Sequence, residues 1–197
     1  AASEEAFNVA FFKAFIFINH KKKSKKLLAS YAIPVPHGEV AWNLEDALAI
    51  TSRLNTPRWA IKAQVHAGGR GKGGGVKIAQ NINEVRTYAS AILGMQLVTP
   101  QTGPLGKKVL RLLVEQNVYY KGASEIKEFY IGILLNRQSG KTMIVYSPQG
   151  GMSIEEVAEK SPQLIFKEEI NHAVGIQLFQ CRKIAFNLGL EGPSFKE

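Results

Sequence analysis

Cysteine is nearly absent from this 197-residue chain, which contains only Cys181. A single cysteine excludes an intrachain disulfide framework and a cysteine-based metal cluster, and it is typical of a reducing compartment. Long apolar runs are also lacking. The longest one near the start, residues 9–18, is interrupted by Lys13 and is too short to cross a bilayer. These absences argue against a disulfide-rich secreted protein and against a membrane-spanning one.

Acidic residues are scarce relative to basic ones: 16 Asp and Glu face 25 Lys and Arg, which gives a formal net charge of +9. This balance favours a polyanionic partner such as a nucleotide, coenzyme A or a nucleic acid, without choosing among them. The 45% hydrophobic content is enough to bury a core in one domain or in two small subdomains. The composition therefore predicts a soluble globular protein.

Glycine is abundant, and it is concentrated between two short β-rich runs within residues 59–79. Six of the eight positions from Gly68 to Gly75 are glycine, the residue whose backbone tolerates positive φ and a close approach to a ligand. Lys62, Arg70 and Lys72 flank or interrupt this loop. The pattern predicts a strand, a glycine loop and a second strand, and such a loop can wrap phosphate oxygens with backbone N–H groups.

Two familiar phosphate-binding motifs do not fit the glycine loop. Residues 69–74 formally satisfy G-x-G-x-x-G, but a dinucleotide fold needs a helix next, whereas residues 75–79 have the pattern of a strand. A Walker A loop needs Ser or Thr after Lys72 and glycine at the position of His66. A flap that closes over a polyphosphate and a tight glycine hairpin without a ligand are the two interpretations left.

The glycine string, VHAGGRGKGGGVK at residues 65–77, resembles the nucleotide-grasp loop of the β subunit of succinate–CoA ligase. The likeness continues through LLVEQNVYY, KEFYIGILLNR and CRKIAFNLGL. It implies an α+β protein with the ATP-grasp fold: two small α/β subdomains with mainly antiparallel sheets, ending before the C-terminal CoA-ligase domain. We expect residues 1–26 to be an atypical extension and residues 27–197 to be an ATP-grasp domain that is incomplete at its C-terminal end.

The resemblance also implies a set of nucleotide-binding residues. Phosphates would contact Lys62, as a compact point charge, together with Gly69, Arg70 and Gly71. The amino group of the base would be received at Glu115 and at the backbone near Val118. Glu128 would accept both ribose hydroxyls, since one carboxylate can accept two such bonds. Ordinary surface acids at strand ends are the alternative for Glu115 and Glu128.

The ligand set implied by the resemblance is ATP or GTP with Mg²⁺, and Pro36 favours ATP. The Mg²⁺ ligands of the family lie outside this segment, and its phosphorylated histidine lies on a partner α subunit, so His66 is expected to be structural. Succinate and coenzyme A are the other substrates, in a bacterial cytoplasm or a mitochondrial matrix. We assign no catalytic residue, and we expect no activity from this segment alone, because phosphoryl transfer depends on Mg²⁺.

The lysine run near the start keeps other functions open. The run from Lys21 to Lys26 contains five lysines in six positions, which predicts either a solvated helix face or an anion-binding patch. It also replaces the acidic and aromatic start of the family. A truncated homologue retained as a structural subunit of a larger, RNA-containing assembly is one alternative function. A malate–CoA or another acyl-CoA ligase is a second alternative.

The rest of the chain alternates helical and strand patterns. Helices are predicted over residues 43–54, 81–94, from Ser153 onward and over 175–188, and strands over 108–115, 128–137 and 142–147. Residues 164–170 are predicted to be extended. Cys181 is expected to pack at the core or its boundary within the last helix. For residues 1–19, a surface helix and a mis-assigned stretch are both open.

Overall fold

The structure is a computed structural model, and it describes residues 12–15, 21–118, 126–152, 154–192 and 195. The strands are β1 (Phe12–Phe15), β2 (Gly38–Ala41), β3 (Trp59–Ala63), β4 (Val76–Ala79), β5 (Gln96–Leu97), β6 (Lys107–Lys108), β7 (Leu112–Gln116), β8 (Phe129–Leu135), β9 (Thr142–Ser147) and β10 (Phe166–Ile170). The helices are α1 (Lys21–Ser30), α2 (Leu44–Arg53), α3 (Ile82–Ile92), α4 (Ile154–Lys160) and α5 (Leu178–Asn187). No helix in these ranges is long and apolar enough to span a membrane.

The chain divides into two compact units. One comprises Ile18–Tyr120, and the other comprises Ala1–Phe17 with Lys121–Glu197. We call them the glycine-loop unit and the hairpin unit. The sequence had suggested one domain or two small subdomains, and mainly antiparallel sheets. The two four-stranded sheets are antiparallel as expected, except for the parallel pair of β1 and β8.

The glycine-loop unit is built on a four-stranded sheet in the order β2-β7-β3-β4, with every pair antiparallel. Its helices α2 and α3 begin at asparagines, because the side chains of Asn43 and Asn81 accept hydrogen bonds from the N–H groups of Asp46 (2.7 Å) and Glu84 (2.9 Å). Each helix buries one apolar face in the core. Both helices lie within the ranges predicted from the sequence, 43–54 and 81–94.

The hairpin unit is built on a second four-stranded sheet in the order β1-β8-β9-β10. β8 and β9 form the predicted hairpin, whose turn contains Gly140 at φ +66°. Its core centres on Phe129, Tyr146 and Leu188, and the ring of Tyr146 stacks on that of Phe166 with centroids 5.4 Å apart. α4 lies where a short helix was predicted, while the capping position proposed for Ser153 is outside the described residues.

Several elements differ from the sequence predictions. β7 begins at Leu112, four residues later than predicted, and β2 had not been predicted at all. β1 is a strand parallel to β8, rather than part of a surface helix. These differences share a cause, since each strand is defined by a partner that is distant in the sequence.

The last helix was also predicted too long. It begins at Leu178 because residues before it form a turn, with a bridge between Asn171 and Gly175, the latter at φ +68°. Two aromatic residues of this helix, Phe179 and Phe186, are 66% and 76% exposed. Cys181 is exposed too, so the expectation that it packs at the core was wrong. The core-facing side of α5 is instead the one that carries Ile184.

Candidate functional site

A buried carboxylate, Glu115, lies in the centre of the sheet of the glycine-loop unit. Its side chain is 3% exposed, and its strand neighbours are Gly38 on β2 and Ala60 on β3. Both neighbours are small, and a β-carbon at Gly38 would overlap the β-carbon of Glu115. Glycine at position 38 therefore lets β2 approach the strand that carries the carboxylate.

Two lysines bind this carboxylate, one at each oxygen. Lys62 on β3 donates to Oε1, and Lys25 on α1 donates to Oε2. The ammonium of Lys25 also donates to the carbonyl oxygen of Pro36, 3.0 Å away. Both lysine side chains are 23% exposed, so the pairs are largely shielded from water and the attraction between their charges is screened less than in surface ion pairs.

The charges within this cluster determine its protonation states. Burial alone would raise the pKa of Glu115, but the charges of Lys62 and Lys25 and their hydrogen bonds outweigh burial, so the pKa is lowered from its ordinary value. Burial lowers the pKa of Lys25, and the charge of Glu115 opposes that shift. The carboxylate is therefore ionised at neutral pH.

The glycine loop folds back on itself between β3 and β4. The N–H groups of Gly73, Gly74 and Gly75 donate to carbonyl oxygens within the loop, at 2.8–3.1 Å. The N–H of Gly68 donates to Oε1 of Gln101 at 2.6 Å. Gly69 at φ +69° and Gly74 at φ +79° adopt the left-handed conformation that favours glycine. The predicted arrangement of strand, loop and strand is confirmed.

Arg70 is the buried residue of this loop. Its guanidinium donates from Nη1 to the carbonyl oxygen of Ala63, 2.7 Å away at the end of β3, and the residue is 9% exposed. Burial lowers its pKa, and the nearby charge of Glu115 opposes the shift. In this conformation the guanidinium anchors the loop to β3 and belongs to the same electrostatic cluster as Glu115.

The structure thus brings together some of the predicted binding residues. Lys62, Arg70 and Glu115 form one cluster, and Gly69 and Gly71 flank Arg70 in the loop. Val118 lies two residues beyond β7 and is partly buried, whereas residues 119–122 of the predicted hinge lie outside the described residues.

Glu128 belongs to the hairpin unit and directly precedes β8. Its carbonyl oxygen accepts a hydrogen bond from the N–H of Gly150 at 2.9 Å. A β-carbon at Gly150 would lie 2.6 Å from that oxygen, and one at Gly151 would overlap the carboxylate of Glu128. Gly150 therefore lets the chain pack against the backbone of Glu128, and Gly151 leaves room for the carboxylate.

Sequence reasoning missed Lys25. Its run of lysines was assigned either to a solvated helix face or to an anion-binding patch, but the anion that Lys25 contacts is Glu115, 90 residues away in the sequence. One signal was available: Lys25 precedes Leu28 by three residues, so both lie on the same face of α1. Three cations, Lys25, Lys62 and Arg70, thus surround Glu115, and this part of the net charge does not require a nucleic acid.

Metal ions need a donor set of their own. Within the described ranges, no group of three or more His, Cys, Asp and Glu side chains is arranged to hold a metal ion.

Curated relatives resemble the chain closely over most of its length. It is 56% identical over 182 residues to the succinate–CoA ligase [ADP-forming] subunit beta of Flavobacterium johnsoniae, covering 90% of this chain and 46% of the relative. It is 51% identical over 171 residues to the protein of the same name from Bacillus thuringiensis, covering 87% of this chain and 43% of that relative. The chain spans less than half the length of these relatives.

Solved structures show the same fold at much lower identity. An acetyl-coenzyme A synthetase from Ca. Korarchaeum cryptofilum superposes with a TM-score of 0.61 at 19% identity, over 89% of this chain and 66% of that one. At this identity the likeness concerns the fold alone. The family model described as an ATP-grasp domain matches residues 19–197. Nearly the whole sequence is covered by that match, and the chain belongs to the ATP-grasp domain family.

Proposed function

We propose that this chain is the nucleotide-binding part of the β subunit of an ADP-forming succinate–CoA ligase. The observation that carries the proposal is the buried cluster of Glu115, Lys62 and Arg70, where the glycine loop leaves β3. The relatives at 51–56% identity bear that name. A buried acid next to cations and a glycine-rich loop provides both an acceptor for a base and positive charge for phosphates.

Within this proposal each residue has a distinct role. Lys62 and the loop residues Gly69, Arg70 and Gly71 hold the phosphates. Glu115 and the backbone near Val118 receive the amino group of the base. Glu128 accepts the ribose hydroxyls through its two oxygens.

The wider reaction belongs to the proposal as well. ATP, succinate and coenzyme A would give succinyl-CoA, ADP and phosphate, together with an α subunit. Pro36 favours ATP over GTP, and Mg²⁺ would be held by residues outside this segment. The reported relatives come from bacteria, which favours the bacterial cytoplasm over a mitochondrial matrix. The acid substrate is taken from the names of the relatives.

Calorimetric titration of the chain with ATP and GTP tests the proposal. We expect ATP to bind, and Lys62→Ala to weaken binding by about 10- to 100-fold, the range for a lost hydrogen bond to a charged group. Lys77→Ala is the matched control, because Lys77 is an exposed lysine on the neighbouring strand β4. Circular dichroism must show that both variants are folded. Wild-type affinity in the folded Lys62→Ala variant would overturn the phosphate role.

A further titration with RNA at several salt concentrations separates this function from a scaffold role. Binding to RNA that falls steeply with salt, with no binding of either nucleotide, would contradict the proposed function.

A further inference from the structure

Glu115 carries one negative charge but is bound by two ammonium groups. The side chain is almost fully buried, and Arg70 adds a third positive charge nearby. One counter-ion is enough to neutralise a carboxylate, so one of the two lysines is in excess when the cluster is considered in isolation. This excess suggests that the two lysines do different work.

The two lysines are held differently. Lys25 donates both to Glu115 and to the carbonyl oxygen of Pro36, which ties α1 to the segment that leads into β2. Lys62 lies on β3, one residue before the strand end from which the glycine loop departs. Among the described residues, Glu115 is the acceptor for its ammonium group. Lys25 is therefore fixed at two points, and Lys62 at one.

We propose that Lys25 is a positioning residue: it is the permanent counter-ion of Glu115, and it keeps this carboxylate ionised and in place when Lys62 turns to the phosphates of a bound nucleotide. The inference rests on the proposed function, because it needs a ligand that draws Lys62 away. When Lys62 leaves, Oε1 of Glu115 becomes available to a donor on the nucleotide, while Oε2 stays with Lys25.

The physical reason is the cost of an unpaired charge in the interior. A buried carboxylate that loses its counter-ions takes up a proton instead of remaining charged. The groups that face Glu115 are Lys25 from α1, Lys62 from β3 and Arg70 from the glycine loop, and the guanidinium of Arg70 already donates to Ala63. Without Lys25, the departure of Lys62 would leave no ammonium on the carboxylate, and its pKa would rise.

The first experiment needs no nucleotide. Lys62→Met imitates the departure of Lys62, and the carboxyl carbon of Glu115 is titrated by NMR in protein labelled at glutamate, with the signal identified by Glu115→Gln. We compare Lys62→Met/Lys25→Met with Lys62→Met/Lys77→Met. Each variant loses two positive charges, but only the second keeps Lys25. We expect the pKa of Glu115 to lie above its ordinary value of 4.5 in the first variant and below it in the second. Equal titration in the two variants would overturn the proposal.

The first of these double variants needs a safeguard, because it can fail to fold. In that case we test the triple variant Lys62→Met/Lys25→Met/Glu115→Gln. If Lys25 acts through Glu115, removing the negative charge of Glu115 restores folding. A triple variant that is still unfolded would contradict the proposal.

The second experiment measures proton uptake when ATP binds, from calorimetry in buffers of different ionisation enthalpy. We expect Lys25→Met to take up more protons per ATP than wild type, and to bind ATP about 10- to 100-fold more weakly. Lys25→Arg should restore both values toward wild type, and Lys77→Met should match wild type. Wild-type proton uptake in Lys25→Met would contradict the proposal. If wild type itself binds no ATP, the proposed function fails, whereas the carboxyl titration still decides whether Lys25 holds Glu115.

Discussion

Glu115 and Glu128 are both proposed to contact a nucleotide, yet the structure holds them in different ways. Glu115, in the glycine-loop unit, is buried within β7 and bound by the side chains of two lysines. Glu128, in the hairpin unit, is partly buried, and the nearby contacts come from the backbone of Gly150 and Gly151. The carboxylate of Glu115 is fixed by charge, whereas at Glu128 the backbone is what the neighbouring chain holds.

Because of this difference, Glu115 should contribute to the stability of the fold as well as to nucleotide binding, whereas Glu128 should contribute mainly to binding. A buried charge that loses its partner destabilises the fold, so the residue at position 115 is constrained whether or not a nucleotide binds. Glu128 has no such constraint, because its carboxylate is bound by no buried cation in the described structure. Substitutions at the two positions should therefore divide differently between unfolding free energy and affinity.

The largest effect is expected from Glu115→Leu. The substitution removes the carboxylate that neutralises two ammonium groups in a largely buried site, and breaking a buried ion pair in this way costs about 3–5 kcal/mol of unfolding free energy. The matched change, Glu128→Leu, should cost less than about 1 kcal/mol, as at a site without special interactions. Urea unfolding of both variants measures the contrast. Similar losses in the two variants would show that the ion pairs of Glu115 do not stabilise the fold.

A smaller loss is expected where the backbone holds Glu128. In Gly150→Ala the new β-carbon would lie 2.5 Å from the carbonyl carbon of Glu128 and 2.6 Å from its oxygen. Backbone atoms cannot move aside without weakening the hydrogen bond from Gly150, so we expect a loss of about 1–3 kcal/mol. The control is Gly71→Ala, where an added β-carbon meets no heavy atom within 4 Å. Equal unfolding midpoints for the two variants would contradict this packing.

The pH dependence of stability should also distinguish the charged cluster. The pKa of Glu115 in the folded protein is lowered, mainly because two lysines oppose the effect of burial. Its contribution to stability is therefore present above its ordinary pKa of 4.5 and is lost as the pH falls from there through the folded-state pKa. Glu115→Gln cannot show this loss.

The measurement is urea unfolding of wild type and Glu115→Gln at several pH values between about 6 and 2. The difference in unfolding free energy between the two proteins should shrink as the solution becomes more acidic. A difference that stays constant over this range would mean that the pKa of Glu115 is the same in the folded and the unfolded protein.

Local signals in the sequence predicted much of the fold. α2 and α3 lie within the ranges predicted for them, 43–54 and 81–94, and the side chains of Asn43 and Asn81 cap them by bonding to backbone groups three residues away. The glycine loop between two strands was predicted from the spacing of glycines and β-branched residues. β2, by contrast, is four residues long, and it becomes a strand only through pairing with β7. No local pattern contains that information.

The candidate site was predictable to a similar degree. The resemblance to a family supplied Lys62 and Glu115, but not that they form an ion pair with each other. Lys25 was hidden within a lysine run, because a run of identical charges gives no indication of which member faces the interior. Its partner is 90 residues distant, and that proximity arises only when α1 packs beside the sheet.

Gly151→Ala should destabilise the fold less than Gly150→Ala, and this variant isolates the role of Glu128. Gly151 has φ +78°, and an added β-carbon would overlap Oε2 of Glu128 and lie 3.4 Å from Cδ. A carboxylate at the end of a flexible side chain can rotate away, so the main cost is the left-handed backbone, about 1 kcal/mol. The displaced carboxylate would then be unable to accept both ribose hydroxyls, and ATP affinity should fall about tenfold. In a Glu128→Ala background the same Gly151→Ala change should leave ATP affinity unaltered, because the group that it displaces is already gone. A tenfold loss in that background too would mean that Gly151 acts on the nucleotide directly and that Glu128 is not the ribose ligand.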